Sequence, residues 1–148
     1  MEPIRGIFSS GVAAVLLLML TANLVQSEVI CTKQRVKPIH HVCGIVIDQT
    51  GAPMAHAKLT ILQEGTQLAS RETGGDGKFS FDQLKAGNYD VQAQEEGFHS
   101  FRFPIVLLKP VERCERALEV ELTVGSEACS GVRLVKPAVV ERRLHTSQ

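Results

Sequence analysis

The sequence predicts an all-β fold, a seven- to eight-stranded antiparallel β-sandwich. Short runs in which apolar and polar residues alternate recur at near-regular spacing from Val42 onward. Turn residues, glycine above all, punctuate these runs. Beyond the N-terminal segment no stretch carries the helical period, so sheet-on-sheet packing is the architecture that can bury the apolar faces.

The first strand is Val42 to Asp48, and Gly51-Ala52-Pro53 turns the chain. Ala57 to Gln63 follows, with Ala57, Leu59 and Ile61 on one face and Lys58 and Thr60 on the other. After the Glu64-Gly65 turn, Gln67 to Glu72 is more polar and belongs near an edge. Gly74-Gly75-Asp76-Gly77 reads as a hairpin turn, because glycine supplies positive φ at no steric cost and Asp76 can bond its own backbone. Lys78 to Phe81 places Phe79 and Phe81 on one face. A second turn, Asp82 to Gly87, leads into Asn88 to Gln94, where Tyr89, Val91 and Ala93 point inward. His99 to Leu108 carries Phe101 and Phe103 on one face. Its Pro104 cannot donate to a ladder, so the strand lies at an edge or breaks there. Leu118, Val120, Leu122 and Val124 alternate with Glu119, Glu121 and Thr123, and Val132 to Val135 adds a short last strand.

The ends divide as follows. Residues 1–27 read as a secretory signal peptide, with an n-region through Arg5, an apolar h-region from Gly6 to Leu20, and Val25 and Ser27 at −3 and −1 of a cut. The apolar run is short for a membrane span of about 20 residues, and Ile30 before Cys31 does not suit a lipoprotein site. Residues 28–41 form a polar lead-in containing Pro38, residues 42–136 the sandwich, and residues 137–148 a loose, flexible tail in which Arg142 and Arg143 sit beside Glu141. The expected location is secreted or periplasmic, with no membrane span after signal removal. The 148 residues carry 16 Lys and Arg against 16 Asp and Glu, with no dominant basic patch, which argues against nucleic acid or an anionic membrane as partner.

All four cysteines, Cys31, Cys43, Cys114 and Cys129, follow the signal segment, and an even count in a small exported domain argues for disulfides. Zinc sites need close cysteine pairs, which are absent here. Of the three possible pairings we favour Cys114–Cys129, which brackets one strand and its return loop, with Cys31–Cys43 as the remainder. A loop of that size contributes about 3 kcal/mol.

The run Cys43-Gly44-Ile45-Val46-Ile47-Asp48, Gly51-Ala52-Pro53 and Ala57-Lys58-Leu59-Thr60-Ile61 resembles the opening of the carboxypeptidase regulatory-like domains. The family's Thr, Asp-Gly turn and Phe-x-Phe strand correspond to Thr73, Asp76-Gly77 and Phe79-Ser80-Phe81. Its Leu-x-x-Gly-x-Tyr corresponds to Leu84 through Gly87 to Tyr89, and its Gly-Phe step to Gly97-Phe98. The resemblance covers residues 42–108 and implies a transthyretin-like, prealbumin-type sandwich that serves as an extracytoplasmic accessory or interaction module without catalytic residues. Gly44, Gly51, Asp76, Gly77, Gly87 and Gly97 then shape the chain, while Phe79, Phe81 and Tyr89 fill it.

Enzymatic relatives fail on particular residues. A metallocarboxypeptidase needs His-x-x-Glu, but the residues at +3 from the five histidines are Cys43, Gly44, Leu59, Arg102 and Gln148. The transthyretin-like hydroxyisourate hydrolases end in Tyr-Arg-Gly-Ser, whereas this chain ends His145-Thr146-Ser147-Gln148. There is no Gly-x-Ser-x-Gly elbow. An internal Lys–Asn isopeptide bond would need Lys58 and Asn88 buried together, which the alternation opposes. A stacking sugar site needs flat exposed aromatics, and the chain has no Trp and one inward Tyr89, although hydrogen-bonding loops could serve. His40-His41 is expected as a solvated pair rather than a metal site with His56 or His99, and Asp48, Asp76 and Asp82 as turn residues rather than calcium ligands. The expectation is a non-enzymatic module with no cofactor and no metal. Its partner would be another envelope or secreted protein, and a carbohydrate or small ligand is the alternative.

Overall fold

The computed structural model describes residues 34–125 and 129–146. The signal-peptide reading, Cys31 and the start of the lead-in lie outside these described residues. Among the described residues eight strands and one helix follow in order: β1 (Val42–Asp48), β2 (Lys58–Gln63), β3 (Thr66–Glu72), β4 (Lys78–Phe81), β5 (Gly87–Gln94), β6 (Phe101–Leu107), β7 (Ala117–Leu122), β8 (Gly131–Val135) and α1 (Pro137–Thr146). They form two four-stranded sheets, ordered β3-β2-β5-β6 and β4-β1-β7-β8. The expected sandwich is present, with one departure from antiparallel pairing. β1 runs parallel to β7, from Gly44 opposite Leu118 to Asp48 opposite Leu122. Parallel neighbours need a long connection, and here everything from β2 to β6 supplies it.

The alternating residues meet between the sheets. Leu59, Ile61, Val91, Ala93 and Phe103 from one sheet and Val46, Leu118, Val120 and Leu122 from the other are fully enclosed. Tyr89 is buried, and its hydroxyl donates to the Lys85 carbonyl at 2.8 Å, which removes the cost of an unpaired polar tip. Phe79 and Phe81 meet edge to face at 6.4 Å, and Phe101 stacks on Phe103 at 5.3 Å. Phe98 packs against this core as a plug. Buried Thr73 donates its hydroxyl to the Met54 carbonyl at 2.6 Å and accepts from Ala57 N–H at 2.9 Å, so it ties the loop before β2 to the end of β3.

The Gly74–Gly77 segment is not a hairpin between sheet neighbours. β3 pairs with β2 and β4 with β1, so this turn carries the chain from one sheet to the other. Its local chemistry is as read: Gly77 N–H donates to Gly74 O at 2.9 Å, and Asp76 Oδ1 accepts from Lys78 N–H at 3.1 Å. Gly77 sits at φ +74°, and a Cβ there would approach Val46 O at 2.9 Å and Met54 N at 3.0 Å. The turn lies against the β1 backbone, which is what a sheet-to-sheet crossing requires and a free hairpin does not.

Residues 137–146 are a helix, not a loose tail. Pro137 opens α1, where its missing N–H costs nothing. Val140 and Leu144, four residues apart, pack on the outer face of the second sheet beside Ile45, Ile47 and Ala117. β1 is thereby buried on both faces. This covering also buries Glu119, which alternates with Leu118 and Val120 onto the outer face of the sheet. Its side chain is 1 % exposed and ion-paired with Arg133 and with Arg143 of α1, whose Nε lies 3.2 Å from Oε2 and Nη2 3.2 Å from Oε1. Lys78 adds a second tie, 2.8 Å from Glu141 of α1.

The disulfide pairing also differs from the reading. Cys43 of β1 is bonded to Cys114, with Cα atoms 6.0 Å apart and a sequence separation of 71. The favoured Cys31–Cys43 and Cys114–Cys129 pairs are therefore not formed. Cys114 lies in the loop feeding β7, and β7 runs beside β1, so the sheet brings Cys114 to Cys43. Cys129 is also in a disulfide. Closing a loop of this length stabilises the fold by about 4 kcal/mol in the chain-entropy account. A non-reducing peptide map should recover the peptides of Cys43 and Cys114 as one species. Recovery of Cys114 joined to Cys129 would contradict this pairing.

The sheet edges are treated unequally. β6 is an edge strand and accommodates Pro104, as read. The lead-in runs along it: Ile39 is buried, its N–H donates to Val106 O at 3.0 Å, and its carbonyl accepts from Leu108 N–H at 2.8 Å. At β8, Gln34 Oε1 accepts from Val132 N–H at 2.6 Å. β3 forms the opposite edge, also as read. A register irregularity between Ile61 and Leu62 leaves Leu68 without a counterpart on β2, a bulge that together with Arg71 and Glu72 blunts the strand against edge pairing.

At the end of β1, Asp48 Oδ1 accepts from Thr50 N–H at 2.8 Å, Thr50 Oγ1 at 2.6 Å and Ala52 N–H at 2.9 Å. Burial pushes the Asp48 carboxyl up, but these hydrogen bonds together outweigh it and hold the group below the usual carboxylate range. A depressed folded-state pKa contributes stability above the unfolded pKa of about 3.9, and this is lost as pH falls through the folded value. Asp48→Ala should cost about 1–2 kcal/mol at neutral pH. Urea melts at pH 7 and pH 3 should show the gap between variant and wild type narrowing at pH 3; a gap that widens would contradict the assignment.

Candidate functional site

Among the described residues a groove lies on the outer face of the second sheet, over β1 and β4. The groove, of about 480 Å³, is bounded by α1 on one side and by the loop between β6 and β7 on the other. A second hollow of about 450 Å³ continues it past the Asp82–Leu84 turn, and the two share His41, Asp82 and Glu112. A separate hollow of about 520 Å³ lies on the outer face of β5 and β6, with Glu64 and Asp90 as its charged residues.

The groove walls are held by long-range contacts. His41 Nδ1–H donates to the Val111 carbonyl at 2.9 Å, and Nε2 lies 2.9 Å from the Ser80 hydroxyl. A carbonyl can only accept, so the first bond places a proton on Nδ1. Asp82 lies 3.6 Å from the same Nε2 and 3.5 Å from Ser80 Oγ. His40 Nδ1–H donates to Lys109 O at 2.9 Å, and Val111 N–H donates to His40 O at 3.1 Å. With the Cys43–Cys114 bond, these contacts strap the loop to residues 39–43. The histidine pair therefore clamps a loop, where a solvated pair was expected; only the approach of the loop, some 70 positions away in sequence, creates its partners.

On the opposite wall Lys78 is bound by Glu141 at 2.8 Å and Asp76 at 3.7 Å. The hydrogen bond that Lys78 donates to Glu141, then the charges of Glu141 and Asp76, outweigh partial burial and raise its pKa. The floor between the walls is apolar, made by the Cys43–Cys114 disulfide, Ala117, Pro137 and Val140.

Ser80, His41 and Asp82 share one network, but its geometry differs from a hydrolytic triad. There the carboxylate holds the ring nitrogen opposite the one that serves the nucleophile; here Asp82 and Ser80 approach the same Nε2, and a main-chain carbonyl holds Nδ1. Among the described residues no group of three or more His, Cys, Asp and Glu could hold a metal ion. His56 and His99 do not join the pair: His56 lies 4.0 Å from Glu72, and His99 Nε2 bonds Gly125 O at 2.8 Å. Asp48 and Asp76 stand in separate turns on local donors. Lys58 pairs with Gln94 and Asn88 with Val106, at opposite ends of β5, and both side chains are exposed.

The glycines and aromatics of the sequence motif shape the scaffold. Gly51 and Gly97 share the left-handed backbone of Gly77, and Gly87 opens β5. Of the groove residues, Glu112 and Glu141 carry no motif and Ser80 is the unspecified position of the Phe-x-Phe strand, so His40-His41 and the turn residue Asp82 are the local signals near this region.

A search of the curated proteins found no match. Among solved structures, a Klebsiella pneumoniae 5-hydroxyisourate hydrolase overlaps 65 % of this chain and 97 % of its own, with 20 % identity and a TM-score of 0.47. A 3-chlorocatechol 1,2-dioxygenase from Rhodococcus opacus overlaps 71 % of this chain and 61 % of its own, with 14 % identity and a TM-score of 0.36. Both likenesses are distant. The model of the carboxypeptidase regulatory-like domain matches residues 41–123, from the His41 clamp through β1 to the end of β7. That span is more than half of the chain, and the protein belongs to the carboxypeptidase regulatory-like domain family.

Proposed function

We propose that the chain is an exported, non-catalytic β-sandwich module that works by protein interaction, and that the groove over β1 and β4 is where a segment of its partner docks. The observation that carries this reading is the groove itself: two joined hollows whose walls are fixed by a disulfide, the histidine clamp and the Lys78–Glu141 pair. A pre-formed concave surface lowers the ordering cost of binding. Export is supported by the N-terminal signal pattern and by the disulfides, which persist in oxidising compartments. Among the described residues no helix is long and apolar enough to cross a membrane.

The test is quantitative co-purification from the secreted and envelope fractions of the source organism, comparing wild type with Asp82→Arg/Glu112→Arg. Both side chains are exposed, so the double variant should fold normally. A protein partner recovered with wild type should fall at least tenfold with the variant; equal recovery would sink the groove assignment. Carbohydrate is the second reading, favoured by the polar groups of Ser80, Asp82 and Glu112 along one groove. Reproducible glycan-array binding that Glu112→Ala abolishes would establish it in place of a protein partner.

A further inference from the structure

The groove has an uneven charge. Asp82, Glu112 and Glu141 line its two hollows, with Asp82 66 % and Glu141 58 % exposed. The one lysine among its lining residues, Lys78, neutralises Glu141, so the surplus acids among them are Asp82 and Glu112. The chain as a whole has a formal charge of zero, so this excess of carboxylates is local. Between the acids lies an apolar floor of disulfide, Ala117, Pro137 and Val140.

We infer that the occupant of the groove is an extended, basic segment of a partner protein, in which Lys or Arg residues flank an apolar side chain. This rests on the reading of the groove as a docking site. The aliphatic stems of Lys and Arg lie along apolar surface while their charged heads reach outward. A disulfide-and-valine floor rimmed by Asp82 and Glu112 offers both halves of that contact. Each hollow alone has the volume of a small-ligand site; the two in tandem suit a chain of several residues better than one compact molecule. Lys109, Arg113 and Arg116 of the neighbouring loop do not line the groove.

The experiment is fluorescence anisotropy on the purified, oxidised protein with three labelled eight-residue peptides. They share alternating apolar positions and carry Lys, Gln or Glu between them. The Lys peptide should bind at least tenfold more tightly than the Glu peptide. Its affinity should fall several-fold between low and 0.5 M salt, because rim charges are screened. Asp82→Lys/Glu112→Lys should weaken it about tenfold, the sum of a few exposed ion pairs, with circular dichroism unchanged. Preference for the Glu or Gln peptide, salt-independent binding, or no peptide binding at all would overturn the inference. Loss of a co-purified partner on charge reversal in the groove, combined with failure of the Lys peptide, would reject the basic segment while leaving the docking site in place.

Discussion

Gly44→Ala should cost at least about 3 kcal/mol and lower the melting temperature by about 15 °C. Gly44 begins the parallel ladder, opposite Leu118. A Cβ at this position collides with the Leu118 carbonyl oxygen and comes within 2.7 Å of its carbonyl carbon and 2.9 Å of its amide nitrogen. The obstacle is backbone, which cannot rotate away as a side-chain tip can. β1 and β7 would have to separate, and both lie in the interior of their sheet with their core residues fully enclosed. Gly75→Ala is the matched control, because nothing lies within 4 Å of a Cβ there and its φ is not positive. Thermal unfolding followed by circular dichroism separates the two. If both variants melt together near wild type, the close approach of β1 to β7 is wrong.

Arg133→Ala/Arg143→Ala should destabilise by about 3–5 kcal/mol, the cost of leaving a buried charge without its partners. Glu119 is 1 % exposed, whereas the arginines are 61 % and 32 % exposed, so the arginines bring the charge to a carboxylate that cannot reach water itself. Either single replacement leaves Glu119 one guanidinium and should cost much less than half of the double. Adding Glu119→Met to the double variant should recover a large part of the loss, because the stranded charge is then gone. Chemical denaturation of the four proteins measures this directly. No recovery in the triple variant would show that the arginines act through packing of α1 and not through the carboxylate.

These two sites mark where sequence reading succeeds and where it stops. The period-2 runs from Val42 to Phe103 gave strands that are present, because alternation is a local consequence of one buried face. Edge positions were legible for β3 from its polarity and for β6 from Pro104. Glu119 marks the limit of that signal: alternation says only that its face differs from that of Leu118 and Val120, and whether that face meets water depends on α1, eighteen residues later in sequence. The helix itself was legible only weakly, through Pro137 and the Val140–Leu144 spacing within a charged segment. Cys43–Cys114 and the His41–Val111 bond each span about 70 residues. Such pairings follow from which strands lie side by side, and spacing along the chain does not encode that. The groove is built from those contacts, so it was hidden while its scaffold was plain.

The most direct test of the docking account is site-specific photo-crosslinking in the protein's native environment. A photoreactive side chain at Glu112, on the shared rim of the two hollows, is compared with one at Gln67 on the exposed β3 edge. The account predicts a discrete protein adduct from position 112, absent from position 67 and lost when Asp82→Arg is added. Adducts of equal yield from both positions, or none from position 112 under conditions where a partner co-purifies, would contradict it.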